Sequence, residues 1–114
     1  MKARAWVEEL PVAVTVCDAR GIVLEMNDLS AKNFVKYGGR ALVGKDLAGC
    51  HPGASRRKLE RLLKSRRVNI YTIEKRGAKK IIIQAPWSRR GKYGGYVELS
   101  VALPTRVPHF VREG

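Results

Sequence analysis

His51 is the side chain whose type most directly suggests chemistry, because a neutral imidazole is a good ligand for iron. It stands in the tripeptide Cys50-His51-Pro52, which is not the Cys-x-x-Cys-His signature of attached c-type haem. The other histidine, His109, is distant in sequence, and neither has an acidic neighbour. Two interpretations of His51 remain open, an axial haem ligand or a turn residue before proline.

Gln84 interrupts the apolar run IIIQAPW, and a buried amide needs hydrogen-bond partners. Its side chain either points outward into water or provides a polar anchor for a ligand in an apolar pocket. Cys17 lies in a segment rich in β-branched residues, which predicts a small buried hydrophobic residue rather than a nucleophile. Trp87 follows Pro86 and is expected to pack at the end of a strand.

The sequence contains no recognisable set of catalytic residues. There is no Ser/His/Asp set, no glycine loop of the phosphate-binding type and no pair of carboxylates in a plausible cleft. No spacing of cysteine and histidine matches a metal site. The sequence therefore predicts a protein that is not an enzyme and that has no protein-ligated metal centre.

A basic run follows Pro52 and opposes the dipole at the start of the helix expected there. It is either a solvated helix face or a surface that faces an anion. Nothing near it resembles a helix-turn-helix or a zinc finger, so only nonspecific nucleic-acid contact stays open. The candidate anion-facing residues are Arg56, Arg57, Arg61, Lys64, Arg66 and Arg67.

The basic side chains are also unevenly distributed along the chain as a whole. The 114 residues carry 23 Lys and Arg against 10 Asp and Glu, a net charge of +13, which is concentrated in residues 50–114. This indicates an anionic partner, which is an acidic protein or signalling chain, a nucleic acid or other polyanion, or a membrane surface. Two cysteines and no long apolar run argue against a disulfide scaffold and a membrane span, and predict a reducing, cytoplasmic setting.

The elements that must position these residues follow from periodicity. Residues 1–11 are predicted to form a short amphipathic helix whose apolar stripe must pack either on the domain body or on the same helix of a second copy, so it is a candidate dimer contact. Two strands joined at Gly21 come next, and Asn27 caps a helix that Gly38-Gly39 ends. The candidate dimer residues are Ala3, Trp6, Val7 and Leu10.

The second half predicts one helix and three strands. Ser55 is expected to cap the helix, with Leu59, Leu62 and Leu63 facing inward. Strands are expected at 68–74, 79–87 and 93–103, and the last alternates between an apolar and a more polar face. The chain is therefore an α+β domain over residues 12–104, a five-stranded antiparallel sheet with helices covering its apolar face, followed by an extended tail over 105–114.

Three segments resemble the PAS sensor family in the right order. They are AVTVCDARGIVLEMND, LVGKDLAGCHP and the closing GKYGGYVELSVAL. The resemblance covers nearly the whole chain and includes small, free-standing PAS proteins with a similar second half. It implies a sheet with helices cupped over one face, a small ligand between them and dimerisation through an N-terminal helix.

The resemblance also suggests a function and a site. It predicts a stand-alone sensory module that homodimerises and binds a small ligand or a protein partner, with a polyanion-binding accessory protein as the alternative. Haem through His51 fits the family but is not required by its His-Pro pair, and the motif for covalent flavin is missing. The candidate ligand-pocket residues are Phe34, His51, Tyr71, Ile83, Gln84 and Leu99.

Overall fold

The computed structural model of the protein describes residues 5–47 and 53–114. Five strands form one antiparallel sheet in the order β2-β1-β5-β4-β3. The predicted α+β class is confirmed. The strands are β1 (Ala13–Asp18), β2 (Val23–Met26), β3 (Asn69–Lys75), β4 (Ala78–Arg89) and β5 (Lys92–Ala102), and the helices are α1 (Ala5–Glu8), α2 (Asp28–Asn33) and α3 (Ala54–Ser65).

The two hairpins of the second half turn more tightly than the sequence indicated. Strand β3 joins β4 through Arg76-Gly77, and β4 joins β5 through Arg90-Gly91. All four residues have positive φ, between 53° and 79°. That geometry matches the right-handed twist of the flanking strands, so the strands extend into segments predicted as loops.

Asn27 caps α2 as predicted, because its side-chain oxygen accepts a hydrogen bond from the amide of Ser30. The helix ends at Asn33, earlier than the glycine pair predicted, and two short 3₁₀ turns follow at Val35–Tyr37 and Gly39–Leu42. The tighter 3₁₀ turns rotate Val35 out of the expected apolar stripe, and it is 71% exposed.

Ser55 does not cap α3, which corrects the prediction. The helix begins at Ala54, two residues earlier than a Ser55 cap would give, and Gly53 occupies the capping position without a side-chain hydrogen bond. The carbonyl of Gly53 accepts the amide of Arg57, so Ser55 lies inside the first turn. Leu63 is buried and Leu59 and Leu62 pack beside it, as the spacing predicted.

The sheet presents the opposite face to the helices from the one expected. Thr15 and Cys17 of β1 are buried and pair in register with Glu98 and Tyr96 of β5. Alternation along each strand therefore puts Tyr96, Glu98 and Ser100 beneath the helices. Their neighbours Val97, Leu99 and Val101 form part of the outer face, together with Val14, Val16, Ile81 and Ile83, and all seven are half-buried.

The N-terminal helix is held by Asn27. The Nδ2 group of Asn27 donates to the carbonyl oxygen of Val7 at 2.9 Å. Val7 and Leu10 are half-buried, whereas Trp6 is 70% exposed. Ala3, the fourth member of the predicted stripe, lies outside the described residues.

Candidate functional site

A cavity of about 700 Å³ lies between α3 and the inner face of the sheet. Its floor comes from β1, β3, β4 and β5, and its walls come from α3, from Phe34 at the end of α2 and from Leu47. Apolar and aromatic side chains make up most of the lining, which is typical of a small-molecule site. The lining residues are Thr15, Cys17, Phe34, Leu47, Ser55, Lys58, Leu59, Leu62, Asn69, Tyr71, Gln84, Tyr96 and Glu98.

Three polar side chains cross the floor of this cavity in one row, which we call the floor ladder: Asn69, Gln84 and Glu98. They share a row because β3 pairs Asn69 with Gln84 and β5 pairs Glu98 with Gln84. The Nδ2 group of Asn69 donates to Oε1 of Gln84 at 2.8 Å, and Nε2 of Gln84 donates to Oε2 of Glu98 at 2.9 Å. The ladder is therefore directional and ends on a carboxylate.

The roof of the cavity, α3, is fixed to the sheet at its C-terminal end. The hydroxyl of Tyr93 donates to the carbonyl oxygen of Leu63 at 2.7 Å, and that of Tyr96 donates to the carbonyl oxygen of Arg67 at 2.8 Å. The guanidinium of Arg66 lies over the Tyr93 ring, 4.6 Å from its centre. The Tyr93 bond satisfies a carbonyl group in the last turn of α3 that has no partner within the helix, and the Tyr96 bond holds the segment just after the helix.

Two ionisable side chains of the cavity are held in their neutral forms. Burial raises the pKa of the Cys17 thiol; a hydrogen bond from the backbone of Tyr96 partly opposes this, and the charges of Asp18 and Glu98 add to it. Burial also raises the pKa of the Tyr71 hydroxyl, and the Glu98 carboxylate adds to this. Cys17 is thus a buried thiol at neutral pH, as the sequence predicted, and not an activated nucleophile.

The structure brings together three of the six candidate pocket residues. Phe34, Tyr71 and Gln84 line the cavity, and the inward alternative for Gln84 is the one observed. Ile83 and Leu99 pair with each other on the outer face of the sheet and do not line the cavity, which corrects the prediction. The physical reason is the two-residue period of a strand, which turns the neighbours of Gln84 and Glu98 away from the helices. His51 lies outside the described residues.

Asn69, Glu98 and Thr15 are site residues that sequence reasoning missed. In the sequence, Glu98 is recognisable only as part of the polar face of the last strand. The available signal was the register of the two hairpins, because correct two-residue turns would have aligned Asn69, Gln84 and Glu98. Thr15 is buried, and its hydroxyl forms a hydrogen bond with that of Ser30 at 2.5 Å.

The candidate anion-facing residues are all exposed, four of them on α3 and Arg66 and Arg67 just after it, and none of them lines the cavity. Arg56 lies 4.0 Å from Glu60, one turn further along the helix. Lys58 is on the cavity side and lines its rim. The helix therefore has one apolar face towards the cavity and one basic face towards solvent.

No arrangement suggesting a metal centre occurs within residues 5–47 and 53–114, where no three His, Cys, Asp or Glu side chains cluster. The described lining of the cavity includes no imidazole. Over the same residues, no helix has the length and apolar character needed to cross a membrane.

Comparison with solved structures identifies the fold. A C-terminal domain from Streptococcus mutans superposes with a TM-score of 0.70 at 21% identity, over 88% of this chain and 81% of that one. The PAS domain of Bordetella pertussis BvgS gives 0.62 at 20% identity, over 90% and 85%. The Aer2 receptor of Vibrio cholerae, described as a dual PAS-haem oxygen sensor, gives 0.58 at 15% identity, over 86% and 99%. No family model and no curated protein sequence matches the chain.

The chain therefore has the fold of a PAS domain, as the three sequence segments predicted. Some of its structural neighbours are described as sensors, and one of these as a haem sensor. The cavity between α3 and the sheet is the candidate ligand site of this molecule.

Proposed function

We propose that this protein is a sensory module that binds a small organic ligand beneath α3 and transmits the resulting displacement of that helix to a partner chain. The observation that carries the proposal is the cavity of about 700 Å³ with its mostly apolar walls and polar floor. A volume of this size accepts a molecule the size of a metabolite or a drug. The Aer2 receptor, a structural neighbour described as a PAS-haem oxygen sensor, supports the use of this fold to bind a small molecule.

Helix α3 is suited to transmit the presence of a ligand because one of its faces lines the cavity and the other faces solvent. Leu59 and Leu62 face the cavity, while its basic residues face solvent. Its C-terminal end is anchored by Tyr93 and Tyr96, so a ligand that fills the cavity displaces chiefly the N-terminal part of the helix. The exposed basic face is then the natural contact for an acidic partner protein.

Ligand occupancy can be measured directly. We expect protein incubated with cell extract and desalted to show a noncovalent added mass in native mass spectrometry that disappears on denaturation. Leu62→Trp places an indole in the cavity, so it should lose this added mass, whereas Leu24→Trp on exposed β2 should retain it. An absorption scan of the same samples would reveal haem or flavin. Wild-type protein that keeps its bare chain mass after this incubation would contradict the proposal.

The outer face of the sheet is the second part of the proposed function, a contact with another copy of the chain. Its valine, leucine and isoleucine side chains remain only half-buried, and Trp6 of α1 is exposed. The C-terminal tail adds Phe110 and Val111, both more than two-thirds exposed. Apolar surface of this extent favours association, and a two-fold dimer lets the same face cover itself.

The dimer has its own test. Wild-type protein should sediment as a dimer at micromolar concentration, and Trp6→Glu and Leu99→Glu should weaken the dimer at least tenfold because each places a charge in an apolar contact. Val35→Glu adds the same charge at an exposed site beside α2 and should leave the mass unchanged. Circular dichroism confirms that each variant is folded. A wild-type monomer, or folded variants that all remain dimeric, would show that this face is not the interface.

A further inference from the structure

The floor ladder ends on the Glu98 carboxylate, which has only one hydrogen-bond donor among the described residues. Glu98 accepts a hydrogen bond from Gln84 through Oε2. Within the described residues, Oε1 of Glu98 accepts no hydrogen bond and no cation lies within 4.0 Å of the carboxylate. The protein carries 23 basic side chains, so the missing ion pair does not reflect a shortage of cations.

Because Glu98 is partly removed from water, its carboxylate oxygen Oε1 is destabilised unless a hydrogen-bond donor contacts it. The side chain is half-buried and lines the cavity among Phe34, Tyr71 and Tyr96. A carboxylate partly removed from water loses favourable solvation, and an N–H donor compensates that loss most effectively when it carries positive charge. Glu98 is also the only acidic side chain in the described lining, whereas Lys58 stands at the rim.

A second, smaller cavity of about 440 Å³ continues along β3 and shares Phe34, Tyr71 and Glu98 with the first. Lys75 and Lys80 line it. The two cavities together, which we call the cup, therefore have cationic side chains towards their edges and one carboxylate on their shared floor. The same carboxylate contributes to the raised pKa of Tyr71 and of Cys17, which is consistent with a negative potential at that point.

We propose that the ligand of this cup is an organic amine with an aromatic body, whose N–H group donates to Oε1 of Glu98 while its ring packs among Phe34, Leu62 and Tyr71. This inference rests on the proposed ligand-binding function and specifies the chemistry of the ligand. An anionic head group would meet the Glu98 carboxylate at the floor and be repelled. A neutral alcohol would donate one weaker hydrogen bond.

The local charge at Glu98 is opposite to the net charge of the protein. At +13, the molecule as a whole repels cations and attracts anions. A preference for the amine must therefore come from the local site and must act against the long-range field. Raising the ionic strength screens that field and should strengthen amine binding relative to anion binding.

Three indole compounds that differ in the head group test the proposal: tryptamine, tryptophol and indole-3-propionate. In calorimetric titrations at pH 7, we expect tryptamine to bind wild-type protein at least tenfold more tightly than either of the others. Glu98→Gln preserves the acceptor for Gln84 and should lower tryptamine affinity at least tenfold, with tryptophol changed less than threefold. Glu74→Gln removes the same charge from the outer face of β3 and should leave all three affinities unchanged.

The outcomes separate this inference from the proposed function. Equal or tighter binding of indole-3-propionate to wild-type protein would overturn the amine proposal without involving any variant, and the cup would remain a ligand site. So would a loss of equal size for all three compounds in Glu98→Gln. If none of the compounds binds but native mass spectrometry shows a passenger, the amine proposal fails and the sensory function stands. If neither is seen, both fail.

Discussion

Replacing Gly95 with alanine is expected to destabilise the protein by about 4 kcal/mol or more, a large fraction of the total stability of a domain of this size. Gly95 lies in β5 opposite Asp18 of β1, with a φ of 149°. A Cβ atom there would overlap the carbonyl oxygen of Cys17 and lie 2.6 Å from the carbonyl carbon of Asp18. These are backbone atoms of the central strand pair, so no side-chain rotation relieves the overlap.

Gly77→Ala is the matched control for this result. Gly77 has a φ of 79°, and a Cβ atom added there would meet nothing within 4 Å, so alanine costs only the strain of a positive φ, about 1 kcal/mol. Urea unfolding followed by circular dichroism measures both variants. A Gly95→Ala protein as stable as Gly77→Ala would mean that β1 and β5 do not pack this closely.

The close approach at Gly95 also explains how the end of the sheet is built. The indole Nε1 of Trp87 donates to the carbonyl oxygen of Cys17 at 3.0 Å, and its ring lies against Gly94. A side chain at position 94 would overlap that ring. Trp87 therefore packs at the strand end as its sequence context predicted, and Gly94 makes the space for its ring.

Asn27→Ala is expected to cost about 3–5 kcal/mol, because the side chain satisfies four backbone groups and is only 2% exposed. Its Oδ1 accepts the amides of Val14 and Ser30, at 2.9 and 3.1 Å. Its Nδ2 donates to the carbonyl oxygens of Val7 and Val12, at 2.9 and 2.8 Å. Alanine leaves all four groups without these partners and separates α1, β1 and α2.

Asn27→Asp distinguishes this network from a simple helix cap. Aspartate keeps the two accepted bonds but places a carboxylate against two carbonyl oxygens, so its pKa should rise in the folded state. A raised pKa adds stability as the pH falls through it, and the variant should therefore become more stable between pH 7 and pH 5 relative to wild type. Exposed Asn33→Ala serves as the control. If Asn27→Ala costs no more than about 1 kcal/mol, Asn27 acts only as a cap.

Much of the fold follows from local patterns that need no tertiary contact. Alternation of β-branched residues predicted the strands, and Asn27 and Gly21 predicted the turns around β2. The apolar spacing of Leu59, Leu62 and Leu63 predicted which side of α3 is buried. These signals depend only on the period of each element, so they are present in the sequence itself.

The ends of the helices and the face of the sheet that the helices cover were harder to predict from the sequence. The first turn of α3 uses the backbone of Gly53 in place of a Ser55 cap, and Val35 is exposed because α2 changes to 3₁₀ turns. The apolar side of the last strand was expected beneath the helices, yet it forms the outer face. A single amphipathic strand has two faces, and its own sequence does not state which one the helices cover.

The sequence by itself indicated that His51, Gln84 and the basic run could bind a ligand or partner, and that the chain resembles a PAS domain. Tertiary structure decided which side chains meet. Asn69, Gln84 and Glu98 are 14 or more residues apart from one another, and only the register of β3, β4 and β5 brings them into one hydrogen-bonded row. Register depends on hairpin geometry and on packing against α3, so the site exists only once the sheet has formed.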